Sequence, residues 1–340
     1  MMRYKTFEQF IFERENSDYT KKINFLLAGE KIEGLTGKNN KRIYGDINDK
    51  CLNNLFNAFY AVGDHGKSLN VDSSLPLIYY GGNKPEGLEF IKKYAYKEED
   101  MYNVPSQMKH SGNKTEFYKM FKDYDFIPKA VYTKEDTKNL QFPVIAKPDG
   151  EHSGIGIEIF DTYEELMKSR GEFDNFSEAK DLEKEYRVLL LKDQNVLIHE
   201  RVSMSDNEIK DKGSDEQTSF VYVDQDMERL DFLEELDGIA KDIKEQIDLG
   251  LWSIDVMVDT DGNLWVAEIN SASGMAADKM ARVYIAIYED YYKEQLPQEF
   301  KDYLSETYIN PIHRINWKEN RVAIEKSEGA IDYKKIYNNQ

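Results

Sequence analysis

Asp255, Glu268 and Asn270 lie in two apolar stretches, WSIDVMV and LWVAEIN, separated by a short polar turn. Asp261-Gly262 between alternating apolar segments is a strong short-range signal for a two-residue hairpin turn. Such a turn sets Thr260 opposite Asn263, Asp259 opposite Leu264, Met257 opposite Val266 and Asp255 opposite Glu268. Side chains alternate along strands, so Asp255, Glu268 and Asn270 share one face. Two carboxylates directly across a strand pair repel each other unless positive charge sits between them. A hard divalent cation such as Mg2+ takes this set of oxygen ligands, often beside substrate phosphates. Taken alone, the trio also suits a solvent-facing edge hairpin.

A second group could hold phosphate. Lys147 ends the apolar stretch FPVIAK, and a loop with Ser153, Gly154 and Gly156 follows before IGIEIF. Glycines let backbone N–H groups approach phosphate oxygens closely, and a neighbouring lysine adds a compact positive charge. An isolated lysine beside two glycines fits a surface hairpin equally well. The segment AVGDHGKS, 61–68, has the look of a phosphate loop. That motif needs a strand before it and a helix after it. Here a helix-like segment enters and LNVDSSLP leaves, so a surface turn is the expected reading.

The elements that must position these groups are legible from periodicity. KTFEQFIFERE and DKCLNNLFNAFYAV place apolar residues at helical spacing, and LPLIYYGG reads as a strand. Downstream, NKTEFYKMFKDYDF, TYEELMKSR, FLEELDGIAKDIKEQI and MAADKMARVYIAIYEDYY read as helices. IPKAVYT, FPVIAKP, IGIEIF, EYRVLLL, VLIHERV, WSIDVMV and LWVAEIN read as strands. The charged segment 203–217 is long enough to suggest a functional loop. Three domains are expected: 1–105, an accessory α/β domain; 106–296, carrying the motifs and divided at 176/177; and 297–340, a polar extension.

The chain has 340 residues, with 45 Lys plus Arg against 64 Asp plus Glu, for a net charge of -19. That balance repels a phosphate backbone, so nucleic acid is not an expected partner. Cys51 is the only cysteine, which points to a reducing compartment. The charged start is no signal peptide, and no run approaches the ~20 apolar residues of a membrane span. A cytoplasmic protein without membrane partners is expected. His110, His152 and His199 lie near the motifs and are read as incidental.

In chain order, these motifs resemble the ATP-grasp superfamily, in particular its carboxylate-amine ligases such as the D-alanine-D-alanine ligase and ribosomal-protein glutamate ligase branches. The resemblance covers 106–292 and implies an α+β ATP-grasp fold, with two α/β subdomains gripping ATP behind an N-terminal α/β accessory domain. It implies that Asp255, Glu268 and Asn270 hold Mg2+, two ions being expected and Mn2+ being able to replace them. It assigns Lys114, Lys147, Ser153, Gly154 and Gly156 to the ATP phosphates. FSEAKDLEKEYRV resembles the adenine hinge, with Glu178 and Glu185 as the base and ribose acids and Ala179, Lys180 and Leu182 beside them.

Many relatives carry an arginine two residues before the metal-binding Asp, where this chain has Ser253. Arg187, Arg201 and Arg282 are the candidates to supply that charge. Ser271, Ser273 and Gly274 fall where relatives hold the acceptor. The implied activity joins a carboxylate to an amine through an acyl phosphate, releasing ADP and phosphate, with small-molecule or peptide substrates. A phosphotransferase and a non-catalytic nucleotide-binding module use the same site and remain alternatives.

Overall fold

The computed structural model describes residues 21–27, 55–60, 71–80, 85–108, 113–149, 156–203, 218–222, 232–271 and 277–304. The first expected helix, the segment 61–68, the segment 203–217 apart from Ser203, and the tail beyond 304 lie outside them. Two compact units result: residues up to Pro105 together with those from Ser273, and Ser106–Ala272.

The first unit contains β1 (Ile23–Leu27), β2 (Phe56–Tyr60), β3 (Leu77–Tyr80), α1 (Pro85–Tyr94) and β4 (Met101–Tyr102). Its sheet has the order β2-β1-β3-β4, all parallel. Ile23, Phe25, Leu26, Leu77, Ile78 and Tyr79 are buried, as continuous apolar runs in a parallel sheet should be. FNAFY, expected to be helical, is β2 and pairs with β1 from Ile23↔Phe56 to Leu27↔Tyr60. A short apolar run satisfies both periods, and pairing with a distant strand decides between them. A strand therefore does lead into the 61–68 segment, contrary to one premise of its dismissal.

The second unit contains two sheets. The first is built from β5 (Ala130–Val131), β6 (Val144–Lys147), β7 (Glu158–Phe160) and β8 (Asn175–Glu178) in the order β5-β8-β6-β7, with α2 (Lys114–Met120) and α3 (Tyr163–Lys168). Asn113 caps α2 by accepting from the Glu116 N–H at 2.8 Å. Val144, Ala146 and Phe176 pack with Phe160, Leu166 and Leu140 in a core on one face. Strand alternation puts Ile145, Lys147, Asn175 and Ser177 on the other face.

The second sheet runs β11-β10-β9-β12-β13, formed by β9 (Leu182–Leu191), β10 (Gln194–Ser203), β11 (Thr218–Tyr222), β12 (Leu251–Asp259) and β13 (Leu264–Asn270). The helix α4 (Leu233–Gln246) buries Leu236, Ile239, Ala240 and Ile243. Beside its start, Phe232 contacts Tyr186 with ring centroids 5.1 Å apart, on the face opposite Arg187. The face away from that contact carries Glu185, Arg187, Ser253, Asp255, Met257, Trp265, Glu268 and Asn270.

The chain then returns to the first unit with α5 (Ala277–Tyr292) and α6 (Gln298–Leu304). Here α5, grouped by sequence with 177–296, associates with the N-terminal residues. Tyr102 donates to Asp290 at 2.6 Å and Tyr284 to the Lys21 carbonyl at 2.8 Å, tying α5 to the parallel sheet. Among the described residues no helix is long and apolar enough to cross a membrane.

Candidate active site

The carboxylate pair forms as the hairpin predicts, by a different route. Val258 pairs with Leu264, Met257 with Trp265 and Val256 with Val266, one residue away from the simple register. An irregularity then leaves Ala267 as an extra residue, and Asp255 meets Glu268 after all. The turn is longer because Asp259 organises it. Its Oδ1 accepts from the Asp261 and Asn263 backbone N–H groups, and its Oδ2 from Trp265 Nε1 at 2.7 Å. Burial works to raise the Asp259 carboxyl, but the bonds from Asn263 and Trp265 outweigh it and hold the group below the usual carboxylate range.

Arg187 supplies the positive charge that the paired acids require. It lies directly opposite Asp255 in the β9–β12 register. Its Nε and Nη2 donate to Asp255 Oδ1 and Oδ2, each at 2.6 Å, a bidentate geometry that fixes both side chains. Burial pulls the guanidinium pKa down; Asp255, Glu268 and Glu185 more than reverse it, so Arg187 stays charged. Asn270 Nδ2 donates to Glu268 Oε1 at 3.1 Å, confirming that the two share a face. Ser253 lies opposite Asn270, fully buried, with no partner for Oγ among the described residues.

His199 is buried directly opposite Arg187, a placement its isolated sequence position did not reveal. Arg201 pairs with Glu185 in the β9–β10 ladder. Among the described residues no three His, Cys, Asp or Glu side chains gather as a complete metal site. Two carboxylates and an amide oxygen are instead the partial, all-oxygen set that Mg2+ supplements with phosphate oxygens and water. Arg187 occupies one position on each Asp255 oxygen, and a carboxylate has about four acceptor positions, so the donor chemistry fits the ion.

Lys147 ends β6 nearly buried, with 7% exposure, and Nζ donates to the Tyr118 hydroxyl at 3.0 Å. Lys114 opens α2, whose next residue, Thr115, donates its N–H to Asp149 Oδ1 at 3.1 Å. The Asp149 N–H bonds Asp174 Oδ2 at 2.8 Å, so the start of α2, the end of β6 and the start of β8 are tied together. Gly156 has φ +73°, and a Cβ there would lie 2.9 Å from Pro148 Cγ, so this position requires glycine. Ser153 and Gly154 lie outside the described residues.

Within the segment expected to be the hinge, Leu182 to Glu185 belong to β9. Glu178 Oε1 accepts from the Gln141 N–H at 3.0 Å and Oε2 lies 3.6 Å from Lys180 Nζ. The Ala179 N–H bonds the Pro143 carbonyl at 2.9 Å. Lys180 Nζ lies 4.0 Å from the Trp265 ring centroid, a close cation–π contact. A cleft of about 510 Å³ lies at this hinge end, with Tyr118, Tyr132, Glu178, Lys180 and Trp265 in its walls. Asp255 and Glu268 do not line it. Burial, then Tyr118 and Glu116, pushes the Tyr132 phenol up to about 12, keeping it a neutral hydrogen-bonding group at physiological pH.

Residues 107–286 match the family described as D-ala D-ala ligase C-terminus, more than half of the chain. The chain belongs to this family. It is therefore an ATP-grasp protein, and its α+β architecture has counterparts among solved ATP-grasp structures. The D-alanine--D-alanine ligase of Bacillus anthracis is 14% identical, with TM-score 0.55 over 88% of this chain and 99% of that one. The same enzyme complexed with ATP is 12% identical, with TM-score 0.50 over 88% and 99%. D-alanyl-alanine synthetase A of Vibrio cholerae is 13% identical, with TM-score 0.51 over 85% and 99%. No curated protein matches the chain in sequence.

Within this ATP-grasp chain, Asp255, Glu268, Asn270, Arg187 and Glu185 stand on one sheet face. Lys114 opens α2 and Lys147 ends β6, two termini tied together through Thr115 and Asp149. Ser271, next along from Asn270, is buried, and Ser273 and Gly274 lie outside the described residues. Arg282 belongs to α5 in the first unit.

Proposed function

We propose that the protein is an ATP-dependent, ADP-forming ligase that joins a carboxylate to an amine, with an amino acid or peptide among its substrates. The observation that carries this reading is the Asp255–Glu268 pair, with Asn270 beside it and Arg187 locked onto Asp255. Paired acids compensated by a fixed cation suit a site that brings anions together.

Asp255, Glu268 and Asn270 would hold Mg2+. There the ion would supply charge neutralisation for the phosphate groups. Lys114, Lys147 and the lid with Ser153, Gly154 and Gly156 bind the phosphate chain. Glu178, Ala179, Lys180, Leu182 and Glu185 hold the base and ribose. The substrate carboxylate oxygen attacks the γ-phosphorus, the bond to the β,γ-bridging oxygen breaks, and ADP leaves. The acceptor nitrogen then attacks the acyl carbon, loses a proton, and expels inorganic phosphate.

Throughout, Arg187 and Arg201 steady the substrate carboxylate and the acyl phosphate, while Ser271, Ser273 and Gly274 receive the acceptor. Positioning and charge neutralisation supply most of the rate in such a transfer. The test is ADP release with amino acids and short peptides offered singly and in pairs. Release that requires an acid and an amine together supports ligation. Sustained turnover with an alcohol or a carboxylate alone, beyond one ADP per protein, would favour a phosphotransferase, and no stimulation by any pair would sink the assignment.

A further inference from the structure

Asn175 is fully buried, yet neither Oδ1 nor Nδ2 has a hydrogen-bond partner among the described residues. Buried amides without partners destabilise a fold, and a strand position of this kind is ordinarily filled by an apolar residue. The unpaired amide stands at one particular place. Lys147↔Asn175 is a direct cross-strand pair of the β6–β8 ladder, on the face opposite the Val144, Ala146 and Phe176 core.

The neighbouring ammonium has three donors, and the Tyr118 hydroxyl accepts one of them. The carboxylates nearby along the chain are engaged by backbone groups. Asp149 Oδ1 takes the Thr115 N–H and Asp174 Oδ2 takes the Asp149 N–H, at 3.1 and 2.8 Å. A cation and an amide donor thus sit side by side, close to the start of α2.

We propose that Asn175 and Lys147 form one anion subsite for a phosphoryl oxygen of the nucleotide. Asn175 Oδ1 accepts from the Lys147 ammonium when it turns from Tyr118 towards the ligand, and Nδ2 donates to the phosphoryl oxygen that Lys147 neutralises. The inference rests on the ligase reading in assigning Lys147 to the phosphate chain, and adds a buried residue with no hydrogen-bond partner among the described residues.

The experiment compares binding of ADP and adenosine, each with Mg2+, to the full chain and to Asn175→Val, Asn175→Ser and Asn175→Asp, alongside thermal melts. Valine removes both halves of the amide, and serine covers the case in which the valine variant does not fold. Asn175→Val and Asn175→Ser should weaken ADP about tenfold, the scale of one charge-assisted hydrogen bond, and leave adenosine unchanged. The valine midpoint should hold or rise. Asn175→Asp should weaken ADP further, since it repels phosphate. A purely structural Asn175 would lower the midpoint and move both ligands equally or neither, which overturns the subsite. If the wild-type chain binds no nucleotide, the phosphate role of Lys147 fails and the subsite fails with it; wild-type binding with an unchanged valine variant overturns the subsite alone.

Discussion

Arg187 and Asp255 face each other across β9 and β12 and are joined by two hydrogen bonds of 2.6 Å, one to each carboxylate oxygen. The arginine charge therefore stands on the central strand pair, beside the acids, where Ser253 leaves the neighbouring position on β12 uncharged.

Arg187→Ala should destabilise the second unit by about 3 kcal/mol, the low end for breaking a largely buried ion pair, because Asp255 and Glu268 are left facing each other. Mg2+ should recover more stability in this variant than in the wild type. Urea unfolding with and without Mg2+ reads both effects, and equal Mg2+ gains in the two proteins would argue against a cation between the acids.

Glu268→Gln keeps the shape of the side chain and removes its charge. The loss in Mg2+-dependent nucleotide turnover should be at least the roughly 10–100-fold that follows loss of a metal's outer-shell partner. An unaltered Mg2+ titration would remove Glu268 from the metal set.

Asp259 has a depressed carboxyl, so its stabilisation is complete above the ordinary Asp value of 3.8 and declines as pH falls through the lower folded value. Asp259→Asn should flatten the acid limb of the stability curve below about pH 4. Melts between pH 2 and pH 6 decide the matter, and parallel acid limbs in both proteins would contradict it.

Trp265 lines the hinge cleft beneath Lys180. Nucleotide entering there displaces or compresses that contact, so ATP addition should change tryptophan emission in the wild type and not in Trp265→Phe. An identical response in both proteins would place the base elsewhere.

How far the sequence discloses this site depends on the reach of each signal. Asp261-Gly262 identifies a hairpin, and the identities of Asp255, Glu268 and Asn270 mark its chemistry because residues a few positions apart are involved. The longer turn and the extra Ala267 escape, since they arise from the side-chain bonds of Asp259. The two errors cancel at Asp255↔Glu268. FNAFY was misread because partnership with INFLL, over thirty residues earlier, decides a run too short to choose its own period. The Arg187–Asp255 bond spans 68 positions, and the sequence places each on a strand without making those strands neighbours. Asn175 and His199 carry no local signal at all, because only the ladders put them beside Lys147 and Arg187.

The residue that Ala267 adds to β13 separates the hairpin into two independently aligned halves. The tip, Thr260 to Asn263, is exposed, and its geometry is set by Asp259 and by the Thr260 N–H bond to the Asp181 carbonyl at 2.9 Å, while the opposition of Asp255 and Glu268 is re-established beyond the irregularity. Length can therefore vary at the tip without reaching the acids. That makes Asp261-Gly262 a practical place to thread a peptide tag or optical reporter through this sheet.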